Sequence, residues 1–121
     1  MNFKESQPIY VQIAERLCDE IIAGKYLANG RIPGVREYAA QFEVNANTAV
    51  KSYDHLARLG IIYNKRGLGY FVAPTASRHI LDMRREDFFT ETLPELFTRM
   101  RQLGITPQQL TDAWEKDTTT P

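Results

Sequence analysis

The stretch Val44 to Gly60, VNANTAVKSYDHLARLG, decides how the rest of the chain is read. Asn45 is a good helix N-cap, because its side-chain oxygen can accept a hydrogen bond from the free backbone N–H of Asn47 or Thr48. A helix is therefore predicted from near Ala46. Within it Ala49, Tyr53, Leu56 and Leu59 or Gly60 recur at spacings of three and four, which puts them on one face, the core face. The other face carries Ala46, Asn47, Val50, Lys51 and Asp54, a mixture of small, amide, apolar and charged groups just after a cap. Such a face fits a DNA major groove, and it equally fits the solvated side of an ordinary amphipathic helix. The flanking segments decide between the two.

Immediately upstream, Val35 to Phe42 reads as a short helix with Val35, Ala39 and Phe42 inward, after a loop containing Asn29, Gly30 and Pro33. Arg36 stands in its exposed first turn. A cation there opposes the helix dipole by roughly 0.3 to 1 kcal/mol, so it is either simply solvated or placed to meet an external anion. The turn Glu43 to Asn45 joins this helix to the next, and two short helices so joined form a helix-turn-helix. Further upstream, Ser6, Gln7 and Pro8 read as an N-cap region with proline in the first turn. Ile9, Ile13, Leu17 and Ile21 then recur every fourth residue in a scaffold helix that ends near Gly24.

Downstream, Ile61 to Tyr63 reads as a short strand, Arg66 to Gly69 as a turn, and Tyr70 to Val72 as a returning strand. The tip of this hairpin carries Lys65 and Arg66. Its glycines, Gly67 among them, let the backbone come close to a phosphate. Three helices followed by a basic hairpin is the order of a winged helix-turn-helix.

Beyond Pro74 the composition changes. Apolar residues from Ile80 to Leu103, including Phe88, Phe89, Leu93, Leu96, Phe97 and Met100, keep helical spacing, with Pro94 expected to kink or split the helix and Gly104 to close it. Thr106, Pro107 and Gln109 form a capped start for a last helix with Leu110, Ala113 and Trp114 on one side. So short a segment cannot bury so many large apolar groups by itself. They pack against a second copy or fold back on their own head domain. The expected fold class is mostly α with a small β-hairpin: a winged helix-turn-helix domain over residues 1–74 and a C-terminal helical dimerisation arm over 75–121. In that arm Phe88, Phe89, Leu93, Leu96, Phe97 and Met100 are the dimerisation candidates.

The chain has 121 residues, 43% hydrophobic and 25% charged, as suits one small globular unit with an appended piece. Its 15 basic and 15 acidic residues cancel, so no global field announces a nucleic-acid partner. Charge is local: residues 31–66 hold six Lys or Arg against three Asp or Glu. Cys18 is the only cysteine, which excludes an intrachain disulfide and suits a buried small hydrophobe. No apolar run approaches a membrane span and the start lacks a signal-peptide pattern, so the expected location is cytoplasmic, away from the membrane. The tail Thr118 to Pro121 is expected to be disordered.

Enzymatic constellations do not emerge. His55 and His79 lack a nearby cysteine or carboxylate at metal-ligand spacing, and Gly67 and Gly69 lie in a hairpin rather than before a helix. No catalytic residue, metal or cofactor is expected. A winged domain can also serve as a protein-interaction module without sequence-specific DNA binding, and this is the alternative function.

The segment from Pro8 to Val72 resembles the DNA-binding domain of the GntR family of bacterial transcription regulators. The matching pieces are PIYVQIAERL, IPGVREYA at Ile32 to Ala39, VNANT at Val44 to Thr48, KSYDHL through Leu56, and LGIIYNKRGLGYFV at Leu59 to Val72. The PIY opening, the VNxNT turn and the short remainder resemble the YtrA subfamily in particular. The resemblance implies a dimeric repressor or regulator that binds double-stranded DNA at a palindromic operator. It implies that Arg36 contacts DNA, that Asn45, Asn47 and Thr48 meet phosphates or base edges, that Lys51 continues along that face, and that Arg66 and Gly67 lie at the wing tip. Three positions depart from the family pattern: Gly34 where a serine is common, Ala46 where arginine or proline is common, and Val50 where arginine or glutamine is common. Base readout is therefore poorer in hydrogen-bonding groups, with Val50 an apolar reader. The sequence names no small-molecule effector.

Overall fold

The computed structural model describes residues 7–117, so the Ser6 cap and the tail Thr118 to Pro121 lie outside the described residues. The elements are α1 (Ile9–Ile22), α2 (Val35–Gln41), α3 (Ala46–Arg58), β1 (Ile62–Lys65), β2 (Gly69–Val72), α4 (Ala76–Asp87), a π-helical turn (Phe88–Thr92), α5 (Leu93–Leu103) and α6 (Pro107–Lys116). The chain divides into two compact units, Met1–Asp82 and Met83–Pro121.

In the first unit α3 is the central helix, packed on both α1 and α2. Helix α1 buries Ile13, Ala14, Leu17, Cys18 and Ile21. Ile9, expected in the same stripe, is 53% exposed; the first turn meets α3 through Tyr10 instead, whose carbonyl accepts from the Ser52 hydroxyl at 2.7 Å and whose ring stands edge-on to His55. The helix ends where Gly24, at φ +85°, lets Gly24 N–H reach Ile21 O and Lys25 N–H reach Glu20 O at 2.9 Å. This left-handed closure satisfies carbonyls that the helix end would orphan.

Ala49, Ser52, Tyr53 and Leu56 of α3 are buried, as the spacing predicts for its apolar members. Each large apolar side chain taken fully out of water, such as Leu56 or Ile61, contributes about 1.5–3 kcal/mol. Two buried tyrosines fix the helices. Tyr53 donates to Pro33 O at 2.6 Å and Tyr38 donates to the Glu20 carboxylate at 2.7 Å. Burial pushes both phenols above their ordinary pKa, and for Tyr38 the Glu20 carboxylate adds to it.

The hairpin pairs Ile62 with Val72, Tyr63 with Phe71, Asn64 with Tyr70 and Lys65 with Gly69. Its inner face holds the buried Ile62 and Val72, with Tyr70 edge-on against Tyr53. Its outer face stacks Tyr63 on Phe71. Arg31 adds a third, one-residue rung: it bridges Phe71, while Ile32 N–H donates to Tyr70 O and Val72 N–H to Gly30 O. Ala76 and Ile80 of α4 are buried as well.

In the second unit the helix does not split at Pro94, one of the two outcomes expected there. Asp87, Thr92 and Leu93 all keep right-handed helical angles, and the chain passes from the π-helical turn straight into α5. Leu93 N–H donates to Phe88 O, five residues back. The widened turn removes the i−4 carbonyl from beneath the proline ring, so the helix absorbs Pro94 by a local change of register instead of splitting. Gly104, at φ +68°, closes α5, and Thr106 and Gln109 exchange hydrogen bonds in a capping box that starts α6.

Candidate nucleic-acid interface

The head of α3 forms as its sequence dictates. Asn45 sits at the N-cap in extended backbone, and its side-chain oxygen accepts from Asn47 N–H at 2.8 Å. That oxygen is thereby occupied, which leaves the Asn45 amide N–H groups as donors to a ligand. Asn47, Val50 and Lys51 are exposed and Thr48 is half-buried, so the outward face is the one the spacing assigns. Val50 is 41% exposed. Lys51 shares an open cleft of about 240 Å³ with Tyr10, Asp54 and Arg58.

Arg36 occupies the exposed first turn of α2, one residue before Glu37. Gly34 is the N-cap there, and its N–H donates to the Glu37 carboxylate at 3.4 Å. Glycine has no side chain to return the bond, so the helix start is only half capped, and amide groups at this end remain open to an anion. The turn before α3 puts Glu43 at φ +54°, a left-handed conformation that costs a side-chain-bearing residue about 1–2 kcal/mol.

At the wing tip, Leu68 N–H donates to Lys65 O at 2.8 Å, closing a turn that exposes Arg66, Gly67 and Leu68. Lys65 does not extend freely into solvent; its ammonium lies over the Phe71 ring, 4.8 Å from the centroid. Arg31, on the neighbouring rung, carries no sequence signal of its own. Its bridge to Phe71 joins residues forty apart, and only the folded sheet brings it to the wing.

Of the residues expected in the arm, Phe88, Phe89 and Phe97 are 46%, 57% and 41% exposed. Leu93 and Leu96 are half-buried, whereas Met100 is buried within the single chain. The sequence reasoning left out Leu103, Ile105 and Trp114 from this set, and all three are exposed. No group of three or more metal-ligating side chains is present among the described residues. No helix among them is long and apolar enough to cross a membrane.

A helix-turn-helix followed by a two-stranded wing is matched across residues 9–72 by the family "Bacterial regulatory proteins, gntR family". The chain belongs to that family. The HTH-type transcriptional regulator YhcF of Bacillus subtilis (strain 168) is 35% identical over 109 residues, covering 90% of this chain and 88% of that protein. The HTH-type transcriptional repressor YtrA of the same organism is 29% identical over 114 residues, 94% of this chain and 86% of that one. Among solved structures, a GntR family transcriptional regulator from Bacteroides thetaiotaomicron superposes with a TM-score of 0.80 at 43% identity, covering 90% of this chain and 95% of its own. AraR(DBD), solved in complex with operator ORX1, has a TM-score of 0.54 at 32% identity over 60% of this chain and 93% of its own. The fold is thus the winged helix of GntR DNA-binding domains, and the GntR family is one of DNA-binding transcriptional regulators rather than enzymes.

Proposed function

We propose that this GntR-family chain is a homodimeric repressor of the YtrA-like branch, working in the bacterial cytoplasm on a palindromic operator. Residues 1–74 supply the DNA contacts and residues 75–121 the dimer contacts. The observation that carries this is the capped head of α3, which presents Asn47, Val50 and Lys51 outward from a winged-helix frame. Asn45, Asn47 and Thr48 meet phosphates and base edges, Val50 rests against a thymine methyl, and Lys51 and Arg36 hold phosphates. Lys65, Arg66 and Gly67 bring the wing to the duplex backbone.

One such head meets only a few phosphates, which leaves affinity near the non-specific range of roughly 10⁻⁴ to 10⁻⁶ M. Tethering two heads raises operator affinity by about 10² to 10⁴ through effective concentration. The exposed Phe88, Phe89 and Phe97, with Leu93 and Leu96 beside them, support a contact between copies, because soluble chains rarely leave so large an apolar surface uncovered. Met100 is buried already and is not part of that exposed surface.

Selection from random duplexes, followed by titration of half and full sites at several salt concentrations, tests the reading. A palindrome with half-sites centred about one helical turn apart, near 34 Å, is expected. Phe97→Asp should sediment as a monomer and gain nothing from the second half-site. A selection that returns no consensus, with binding insensitive to salt, would point instead to a protein-interaction module.

A further inference from the structure

The outer face of the wing holds two cations, Arg31 and Lys65, with no ion-pair partner among the described residues. Lys65 and Gly69 are cross-strand partners, so the Lys65 side chain and the hydrogen that replaces a side chain on Gly69 point to the same face. Tyr63 and Phe71 share that face one rung further in, and they stack. Arg31 bridges Phe71 from the other edge of β2 and therefore projects to this face too. Its Nε lies 3.3 Å from where a Cβ on Gly69 would stand, and its Nη2 lies at 3.6 Å. The Lys65 ammonium leans inward over Phe71 at 4.8 Å. Both long side chains thus lie over the middle strand, from backbones about 9.5 Å apart across two strand spacings.

The absence of a side chain at Gly69 is what makes this convergence possible. At φ +107° the position already favours glycine, and the bare Cα leaves room for the guanidinium beside the tip. Among the described residues, neither Arg31 nor Lys65 has an ion pair or a side-chain hydrogen bond. Like charges drawn together on one sheet face repel. An anion bridging them removes that cost, and a phosphate matches the fork of a guanidinium on one side and a point-charge ammonium on the other.

We infer that Arg31 and Lys65 form a phosphate clamp on the outer face of the wing, and that its ligand is a phosphodiester of the duplex flanking the site read by α3. This rests on the DNA-binding reading above, and it assigns a contact to the segment between α1 and α2. The clamp carries no sequence information. It fixes how the wing sits on the backbone.

The test uses the full chain with Arg31→Gln, which keeps the aliphatic stem and removes the charge, beside Arg31→Lys and Arg66→Gln. Affinity for a selected operator and for a scrambled duplex is measured between about 50 and 200 mM salt. Arg31→Gln should weaken both duplexes alike, by on the order of tenfold, and lower the slope of log affinity against log salt by about one. Arg31→Lys should keep the slope. If Arg31→Gln leaves the slope intact while Arg66→Gln lowers it, the clamp is wrong and the DNA-binding reading stands; a wild-type slope near zero removes both. Inorganic phosphate, titrated while the Arg31 Nε–H is followed by NMR, separates a free anion from DNA. Saturation there without any change of DNA slope in Arg31→Gln would assign the clamp to a soluble phosphate compound and overturn the duplex as its ligand.

Discussion

Replacing Tyr53 by Phe should destabilise the head more than the loss of one oxygen atom suggests. The Tyr53 ring is wholly buried, edge-on to Tyr70 at 5.0 Å and tilted against Tyr38 at 6.0 Å, and phenylalanine keeps both contacts. What disappears is the 2.6 Å hydrogen bond to Pro33 O, which ties α3 to the segment that opens α2 and presents Arg36. A typical hydrogen bond contributes a net 0.5–1.5 kcal/mol or about that, and leaving a buried acceptor unpaired costs about 1–3. Pro33 is half-buried, so water compensates in part and about 1–2 kcal/mol is expected. With a urea m-value of about 1 kcal/mol/M, the low end for small domains, the unfolding midpoint should fall by about 1–2 M. Protein concentration must be held constant, because association would feed into apparent stability. Tyr63→Phe is the internal control: its hydroxyl bonds Asn29 Oδ1 at 3.0 Å in an exposed setting and should cost less than about 0.5 kcal/mol. Equal midpoints for Tyr53→Phe and the wild type would refute the claim that this bond is held away from water.

Stability should drop at alkaline pH. Burial holds the Tyr38 and Tyr53 phenols above their ordinary value, so the fold keeps two protons that the unfolded chain releases above about pH 10. Their contribution is therefore complete below pH 10 and falls as pH rises beyond it, by up to about 2.7 kcal/mol per pH unit for the pair. Denaturant midpoints across that range should show it, with Tyr38→Phe halving the slope. Glu43→Asn should stabilise the head by about 0.5–1 kcal/mol, since asparagine tolerates the left-handed backbone that Glu43 adopts at φ +54°; a lower thermal midpoint would show that the Glu43 side chain does something else. Val50→Ala should relax the preference for thymine at one base pair while leaving the salt slope unchanged, and selection on the variant that returns the original preference would remove Val50 from the reading face.

The first unit was legible because its signals are local and agree with one another. The Asn45 cap, the Ala49, Tyr53 and Leu56 spacing, and the β-type runs Ile61 to Tyr63 and Tyr70 to Val72 each name an element without knowledge of the others; the helix starts where expected, while the strands run Ile62–Lys65 and Gly69–Val72, which takes Gly69 out of the expected turn and leaves Ile61 outside the strand. Pro94 shows where local reasoning stays coarse. Proline forbids one hydrogen bond, but the chain has more than one way to lose it, and a π-helical turn at Phe88 to Thr92 loses it without leaving the helix. Ile9 failed for a different reason: periodicity says which residues share a stripe, not how far along the helix its neighbours extend. Met100 likewise kept the spacing of Phe97 while being buried in its own chain.

The candidate site residues divide along the same line. Arg36, Asn47, Lys51 and Arg66 were accessible to sequence reasoning because each follows a local marker: a helix start, a cap or a turn. Arg31 follows none, standing one residue before the buried Ile32 in what reads as loop. Its place on the wing depends on a single rung to Phe71 and on a glycine 38 positions later in the chain. The sequence reading puts Gly69 in the turn, and only the structure makes it the first residue of β2. Gly67 and Gly69 flank Leu68, and a tight turn of this length needs left-handed backbone at the first glycine, whereas the second also begins a strand, where glycine is ordinarily unfavourable. At φ +107° the position favours glycine in any case, and the missing side chain also leaves room for a close neighbour. In this fold that neighbour is the guanidinium of Arg31, so the residue without a side chain is the one that shows where the cation lies.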